Sequence, residues 1–220
     1  MLFNDFISLM YKLRVHLLES RAVKILKGSG VVAIPTDTVY GLACDATDSS
    51  AIEKLYNIKQ RHKEKPLAIC ISEADEVAKW GNVDHLPRGL LEALLPGPVT
   101  LVLQCLDGDL DESLTLNGKV AMRVPDYPFI RSLARDLGRP LALTSANLSN
   151  APSAVNLWGF APIWEKLDEI FDGGDLGCGQ EASTIVDLSL SGTYFVIREG
   201  AAYEETVKIL REFSLKPRQG

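Results

Sequence analysis

Lys59-Gln60-Arg61-His62-Lys63-Glu64-Lys65-Pro66-Leu67 stands where a predicted helix gives way to a predicted apolar strand. Upstream, Ser50 and Glu53 have the spacing of a capping box, and Ile52, Leu55 and Tyr56 recur at helical period toward Lys59 and Arg61. Downstream, Leu67-Ala68-Ile69-Cys70-Ile71 is an unbroken apolar run that suits a buried strand. The junction sets four permanent cations within seven residues of a chain whose net charge is −6, a local sink for a polyanion. Lys and Arg at a helix C-terminus also complement its dipole, so the cluster alone does not define a site. Two further apolar runs end in polar groups: Val31-Val32-Ala33-Ile34 leads to Pro35-Thr36-Asp37-Thr38, and Leu141-Ala142-Leu143 to Thr144-Ser145-Ala146-Asn147. Strand ends are where open α/β sheets bind ligands.

Working outward, residues 20–27 read as a helix stopped by Gly28-Ser29-Gly30. That glycine pair has neither dinucleotide-fold nor Walker spacing and marks a turn. Helices are expected over Glu73 to Lys79, Arg88 to Leu95, Phe129 to Leu137 and Tyr203 to Phe213. Strands are expected at Thr100 to Gln104, Val120 to Val124, Thr184 to Leu188 and Tyr194 to Ile197, the last two as a hairpin about Ser191-Gly192. The acidic run from Asp107 to Glu112 lacks the ligand pattern of an EF-hand and reads as a solvated turn. Asn156 to Leu167 is ambiguous. Strands and helices alternate too irregularly for a repeated βαβ unit, which predicts one α/β domain with a twisted open mixed sheet, flanking helices and a concave ligand cleft. The expected organisation is an N-terminal extension (1–19), one folded domain (20–213) and a frayed, flexible tail (214–220).

With 220 residues and 46% hydrophobic content the chain can bury a substantial core. The acidic balance argues against a protein that grips nucleic acid with its whole surface, while leaving room for a local basic groove. Cys44, Cys70, Cys105 and Cys178 and the three histidines are scattered, so they read as thiols of a reducing compartment and no metal-ligand spacing emerges. The apolar start, Met1 to Met10, is interrupted by Asp5 and followed by Lys12 and Arg14, too short for a membrane span of about 20 residues. Its cations follow the apolar run, whereas a secretory signal places them before it. Cytosolic residence is the expectation, with a mitochondrial presequence as the alternative.

No G-x-S-x-G elbow or H-E-x-x-H helix supplies a nucleophile or a metal hydrolase. Ser145 has no histidine nearby in sequence to activate it, although His62 or His85 could approach in space. Hydroxyl, amide and cationic groups suit a different chemistry, in which a nucleoside triphosphate and a small amino acid are held together while the substrates react with each other. Lys59, Arg61, Arg123 and Arg198 are the candidate cations, with ordinary ion pairing as the alternative, especially for Arg198 beside Glu199.

Seven ordered segments then make a resemblance specific: Pro35-Thr36-Asp37-Thr38-Val39-Tyr40-Gly41-Leu42; Lys59-Gln60-Arg61 with Pro66-Leu67; Leu95-Pro96-Gly97-Pro98-Val99-Thr100; Arg123-Val124-Pro125; Thr144-Ser145-Ala146-Asn147; Ser183-Thr184-Ile185-Val186-Asp187; and Ile197-Arg198-Glu199-Gly200. Over residues 20–212 the chain resembles the YrdC family of threonylcarbamoyl-AMP synthases, in its short single-domain branch. The resemblance implies a nucleotidyltransferase that joins L-threonine, bicarbonate and ATP into threonylcarbamoyl-adenylate with release of pyrophosphate, for a tRNA threonylcarbamoyl transferase complex downstream. It implies Mg²⁺ held by the triphosphate, with no metal site on the protein. Carried over, Lys59 and Arg61 are expected as the catalytic groups, facing phosphates and carboxylate. Thr36 and Ser183 are expected to face the threonine, Arg123 to lie near it or near the developing charge, and Ser145, Asn147 and Arg198 to face the nucleotide.

Three positions depart from the pattern. Many relatives have proline where His62 stands, several archaeal ones have histidine or asparagine where Lys65 stands, and some have threonine at Lys119. Lys65 is placed among the threonine and bicarbonate contacts on position alone. Two rivals stand beside this reading: an RNA-binding module without catalysis, with a weak tRNA contact as its lesser form, and a carbamoyl-phosphate-dependent carbamoyl-transfer domain.

Overall fold

The computed structural model describes residues 2–62, 64–106, 108–149, 151–177 and 181–219, and side chains from residue 13 onward. In chain order the elements are α1 (Leu2–Lys27), β1 (Val32–Ile34), β2 (Gly41–Asp45), α2 (Ser49–Lys59), β3 (Ala68–Cys70), α3 (Val77–Trp80), α4 (Leu90–Leu94), β4 (Val99–Gln104), β5 (Thr115–Leu116), β6 (Lys119–Arg123), α5 (Pro128–Leu137), β7 (Leu141–Ser145), β8 (Glu169–Ile170), β9 (Thr184–Asp187), β10 (Thr193–Arg198), α6 (Tyr203–Glu212) and β11 (Lys216–Pro217). The strands form one mixed sheet in the order β11-β10-β9-β4-β6-β3-β7-β2-β1-β8, with β5 beside β6. Pairs β1–β8, β3–β6, β4–β9 and β10–β11 are parallel; the others are antiparallel. This is the mixed sheet with flanking helices that the sequence predicts.

Successive side chains of a strand point to opposite faces, and the apolar runs sort accordingly. Val32 and Ile34 pack with Ala22, Val23 and Leu26 of α1 and with Ile130, Leu133 and Leu137 of α5. Val31 and Ala33 face the larger core on the other side, with Ile52 and Leu55 of α2, Leu90 of α4 and Leu210 of α6. Leu141 and Leu143 likewise separate from Ala142. Each such Leu or Ile, withdrawn fully from water, contributes about 1.5–3 kcal/mol. On the first face the α1–α5 layer covers β1, β2 and β7.

Several local expectations are corrected. The first helix is continuous over 26 residues rather than starting near Ser20, because nothing between Leu2 and Lys27 breaks it. Among its described side chains, only those from Ala22 onward reach the core, while Leu13 and Leu17 are exposed. The cap of α2 is Asp48, not Ser50: its Oδ1 accepts from the amides of Ser50 (2.9 Å) and Ala51 (3.2 Å), which places Ser50 inside the first turn. The ambiguous segment is a 3₁₀ run, Leu157–Lys166, bent at Phe160. Residues 216–218 of the expected frayed tail are tied down instead. Lys216 and Pro217 pair with Thr193 and Tyr194, the Arg218 amide donates to the Tyr194 carbonyl (2.9 Å), and the Arg218 guanidinium bridges Asp187 (2.8 Å). Lys63, Asp107 and Cys178, named above from the sequence, lie outside the described residues.

Candidate active site

Beyond the edge of the α1–α5 layer, the same sheet face lies open over β6, β4 and β9 and carries a cavity of about 160 Å³. Pairing register brings its floor together. Ala68 opposes Leu143 across β3 and β7, Thr100 opposes Ile185 across β4 and β9, and Ala121 shares the face of Arg123 on β6. Small and apolar side chains thus make the base. The rest of the lining is cationic and hydroxylic, with Arg61, Arg123 and Arg198 beside Thr144, Ser145 and Ser183, and the Thr100 hydroxyl adds to it from the floor.

Arg123 is buried at the end of β6. Its Nη2 donates to Asp37 Oδ1 (2.5 Å) and Thr38 Oγ1 (2.9 Å) in the loop after β1. Its Nε is buried with no hydrogen-bond partner among the described residues. Burial presses its pKa down, and the Asp37 carboxylate works against that. Arg198, at the end of β10, donates from Nε and Nη2 to the Ser183 carbonyl (3.1 and 2.6 Å) and from Nη2 to Ser183 Oγ (3.2 Å). Desolvation and then the charges of Arg123 and Arg61 lower its pKa, so Arg198 senses the other two guanidiniums. Arg61 follows the left-handed Gln60 that ends α2, and it donates to the carbonyls of Lys65 (2.9 Å) and Pro66 (3.3 Å). Ser183 Oγ also pairs with Thr100 Oγ1 at 2.8 Å. Gly200 lies against this wall, where a Cβ would collide with the Ala182 carbonyl oxygen.

The expected groups therefore divide. Arg61, Arg123, Ser145, Ser183 and Arg198 converge on the cavity. Lys59 does not line it. Only 1% exposed, its Nζ donates to Ser145 O (2.5 Å), Asn147 O (2.8 Å) and Asn147 Oδ1 (3.0 Å), fastening the loop after β7 to the end of α2. Burial, with Arg61 adding repulsion, brings its pKa down to about 7. Asn147 is the hub of that loop, accepting from Lys59 and Ser145 Oγ (2.6 Å) and donating to Ala151 O (2.5 Å). Thr36 is buried behind the wall, where its hydroxyl donates to Val39 O (2.7 Å) and accepts from the Thr38 amide (3.1 Å). The Lys65 side chain is exposed, and the residue serves the site through its carbonyl.

Thr100, Asp37 and Thr38 were missed as individual site residues. Thr100 reads as a β-branched strand filler, and Asp37 and Thr38 as loop polars, until register and the Arg123 contact place them. Tyr40 lies outside the cavity and ties down a different loop. Its buried hydroxyl accepts from the Gly173 amide (2.9 Å) and donates to Gly174 O (2.8 Å), while its ring packs on Phe160 at 5.5 Å. Among the described residues no group of three or more His, Cys, Asp or Glu could hold a metal ion, and no helix is long and apolar enough to cross a membrane.

A family model named for Sua5, YciO and YrdC, described as "Telomere recombination", matches residues 24–200. A Bos taurus protein named threonylcarbamoyl-AMP synthase is 45% identical over 207 residues, covering 90% of this chain and 74% of the relative. The crystal structure of P. abyssi Sua5 complexed with L-threonine superposes with a TM-score of 0.80 at 28% identity over 91% of this chain, which spans 58% of that longer one. E. coli YciO superposes with a TM-score of 0.75 at 28% identity, covering 84% of this chain and 89% of the other. The family model spans most of the chain and the sheet superposes on solved members of it, and the chain belongs to the Sua5/YciO/YrdC family.

Proposed function

We propose that the chain is a threonylcarbamoyl-AMP synthase whose cavity brings L-threonine, bicarbonate and ATP together. The observation that carries this reading is the convergence of Arg61, Arg123 and Arg198 with four hydroxyl residues on one hollow that, among the described residues, holds no nucleophile and base pair. Such a set positions and neutralises anions while the reagents attack each other. The relatives' names and the threonine-bound P. abyssi structure support L-threonine as a substrate and an adenylate as the product. At about 160 Å³ the hollow falls below the roughly 300 Å³ at which pockets for drug-sized ligands begin, so it suits the amino acid, with the nucleotide extending onto the open rim.

In the reaction, the threonine amine condenses with bicarbonate, losing water, to give a carbamate. A carbamate oxygen then attacks the α-phosphorus of ATP, and the bond to the bridging oxygen breaks to release pyrophosphate. Arg123 pairs with the amino-acid carboxylate. Arg61 and Arg198 offset the charge of the carbamate and the triphosphate, whose repulsion otherwise opposes the approach. Ser183 and Thr100 orient the amino acid, and Ser145 contacts the nucleotide from the loop that Lys59 fastens. Among the described residues no carboxylate lines the cavity, so its side chains do not fit a protein-held Mg²⁺; the ion enters with ATP as part of the substrate. A tRNA threonylcarbamoyl transferase is the expected consumer of the product.

Incubation with labelled bicarbonate, threonine and ATP should give a labelled adenylate and pyrophosphate, both abolished by omitting threonine. Label transfer from carbamoyl-phosphate instead, or tRNA affinity with no ATP turnover, would replace this reading with one of its two rivals.

A further inference from the structure

We propose that Asp37 is the positioning residue of the site, holding Arg123 so that its free edge meets the carboxylate of the amino-acid substrate. The inference rests on the reading of the cavity as a threonine site. It starts from an imbalance among the three guanidiniums. Arg61 and Arg198 are held by backbone carbonyls and, for Arg198, a hydroxyl. Arg123 alone is held by a carboxylate, Asp37 Oδ1 at 2.5 Å, with the two side chains 7% and 9% exposed. Asp37 is itself fixed, because its Oδ2 accepts the Asp126 amide at 3.0 Å. Thr38 Oγ1 takes a second bond from the same Nη2, and Thr36 Oγ1 stands 3.1 Å behind Thr38 Oγ1. The loop after β1 therefore grips one nitrogen of Arg123 from two sides.

Arg123 lines the cavity with Nη2 already engaged by both of its hydrogens, so it is the rest of the guanidinium that is left for an anion entering the hollow. A planar guanidinium clamped at one nitrogen is held in one plane, which sets the direction of its remaining N–H groups. Without Asp37, Arg123 would be a buried cation facing two other cations, and it would swing away or attract an adventitious anion. Asp37 thus cancels the repulsion and fixes the plane, acting on substrate only through Arg123.

The test is steady-state kinetics of Asp37→Asn, an isosteric change that keeps the volume and one acceptor oxygen, on the full chain with circular dichroism as the folding control. The KM for threonine should rise about tenfold or more, while the KM for ATP stays within about twofold, because the charge pair is broken on the amino-acid side alone. In an Arg123→Ala background the same change should add less than about twofold to the threonine KM, since its effect passes through Arg123. A threonine KM within about twofold of wild type, a parallel rise for both substrates, or full additivity with Arg123→Ala would each overturn the assignment. Wild-type protein whose pyrophosphate release ignores threonine would instead remove the underlying reading, a result visible before any variant is made.

Discussion

Lys59→Met separates two roles for the buried lysine. The structure makes its ammonium a strut: it meets three oxygens, of Ser145 and Asn147, at 2.5–3.0 Å and does not line the cavity. Methionine keeps the stem and removes the donor. Ser145 borders the cavity, so its carbonyl can take a water, and Asn147 Oδ1 keeps the Ser145 hydroxyl at 2.6 Å. The Asn147 carbonyl is left as the orphan, and a buried acceptor without a partner costs about 1–3 kcal/mol. A net loss of about 2 kcal/mol at pH 7 corresponds to a Tm lower by about 4–8 °C for a chain of this size. Proton linkage gives the loss a pH signature. Burial and then Arg61 bring the folded pKa from 10.5 to about 7. Between those values the unfolded chain binds more protons at this site than the folded one, so wild-type stability rises with pH while the variant lacks that slope. The difference between them should grow by roughly 1–3 kcal/mol from pH 7 to 9. Urea titrations at the two pH values, beside threonine-dependent pyrophosphate release, read both effects. A variant with wild-type Tm and pH slope whose ATP affinity collapses would refute the strut and return the ammonium to the phosphates.

Arg61→Ala, which removes a cation at the rim, should cut threonine-dependent pyrophosphate release by about 100-fold or more with little change in Tm, measured by coupled phosphate assay and differential scanning fluorimetry. Tyr40→Phe should keep the Phe160 packing and cost about 1 kcal/mol, with faster hydrogen exchange at the Gly173 amide, whose acceptor is the missing hydroxyl. Burial works to raise the Asp187 pKa, but bonds from Ser189, Lys119 and Arg218 hold it down to about 2. Its contribution is therefore present above the ordinary carboxylate pKa and lost as pH falls toward 2, and Arg218→Ala should shift the acid-unfolding midpoint upward. Gly200→Ala should destabilise the chain by about 2 kcal/mol or more, since the new methyl meets backbone oxygen rather than a movable side chain.

How much of this was legible beforehand follows from the range of each interaction. Strands such as Leu141–Ser145 were readable because burial on both faces demands an unbroken apolar run. Three two-residue strands were not, because β5, β8 and β11 carry too few residues for any period to register. The tail was read as frayed because Lys216, Pro217 and Arg218 are polar or non-donating. Their order comes from Asp187, Phe195 and the edge of β10, partners distant in sequence. Among the site groups, cations at strand ends announced themselves by charge. The fates of Lys59 and Thr36 did not, since whether a polar group faces substrate or fastens a loop depends on which oxygens the fold brings within 3 Å.

The manner of anchoring also explains how a chain of net charge −6 keeps a cationic hollow. Several cations outside the cavity are paired with carboxylates: Arg131 and Arg135 with Glu73, Arg139 with Asp45, Lys54 with Asp168, Lys119 and Arg218 with Asp187. Arg61 and Arg198 are aimed by carbonyl and hydroxyl dipoles, which fix direction while leaving the full charge for an incoming anion. Arg123 is the exception because it is the most deeply buried of the three, where an uncompensated cation is costliest. A carboxylate on every arginine would have made the site stable and inert to anions, and none at all would have left three like charges to drive one another apart. One buried pair with two dipole-held neighbours is the arrangement that keeps the hollow both assembled and positive.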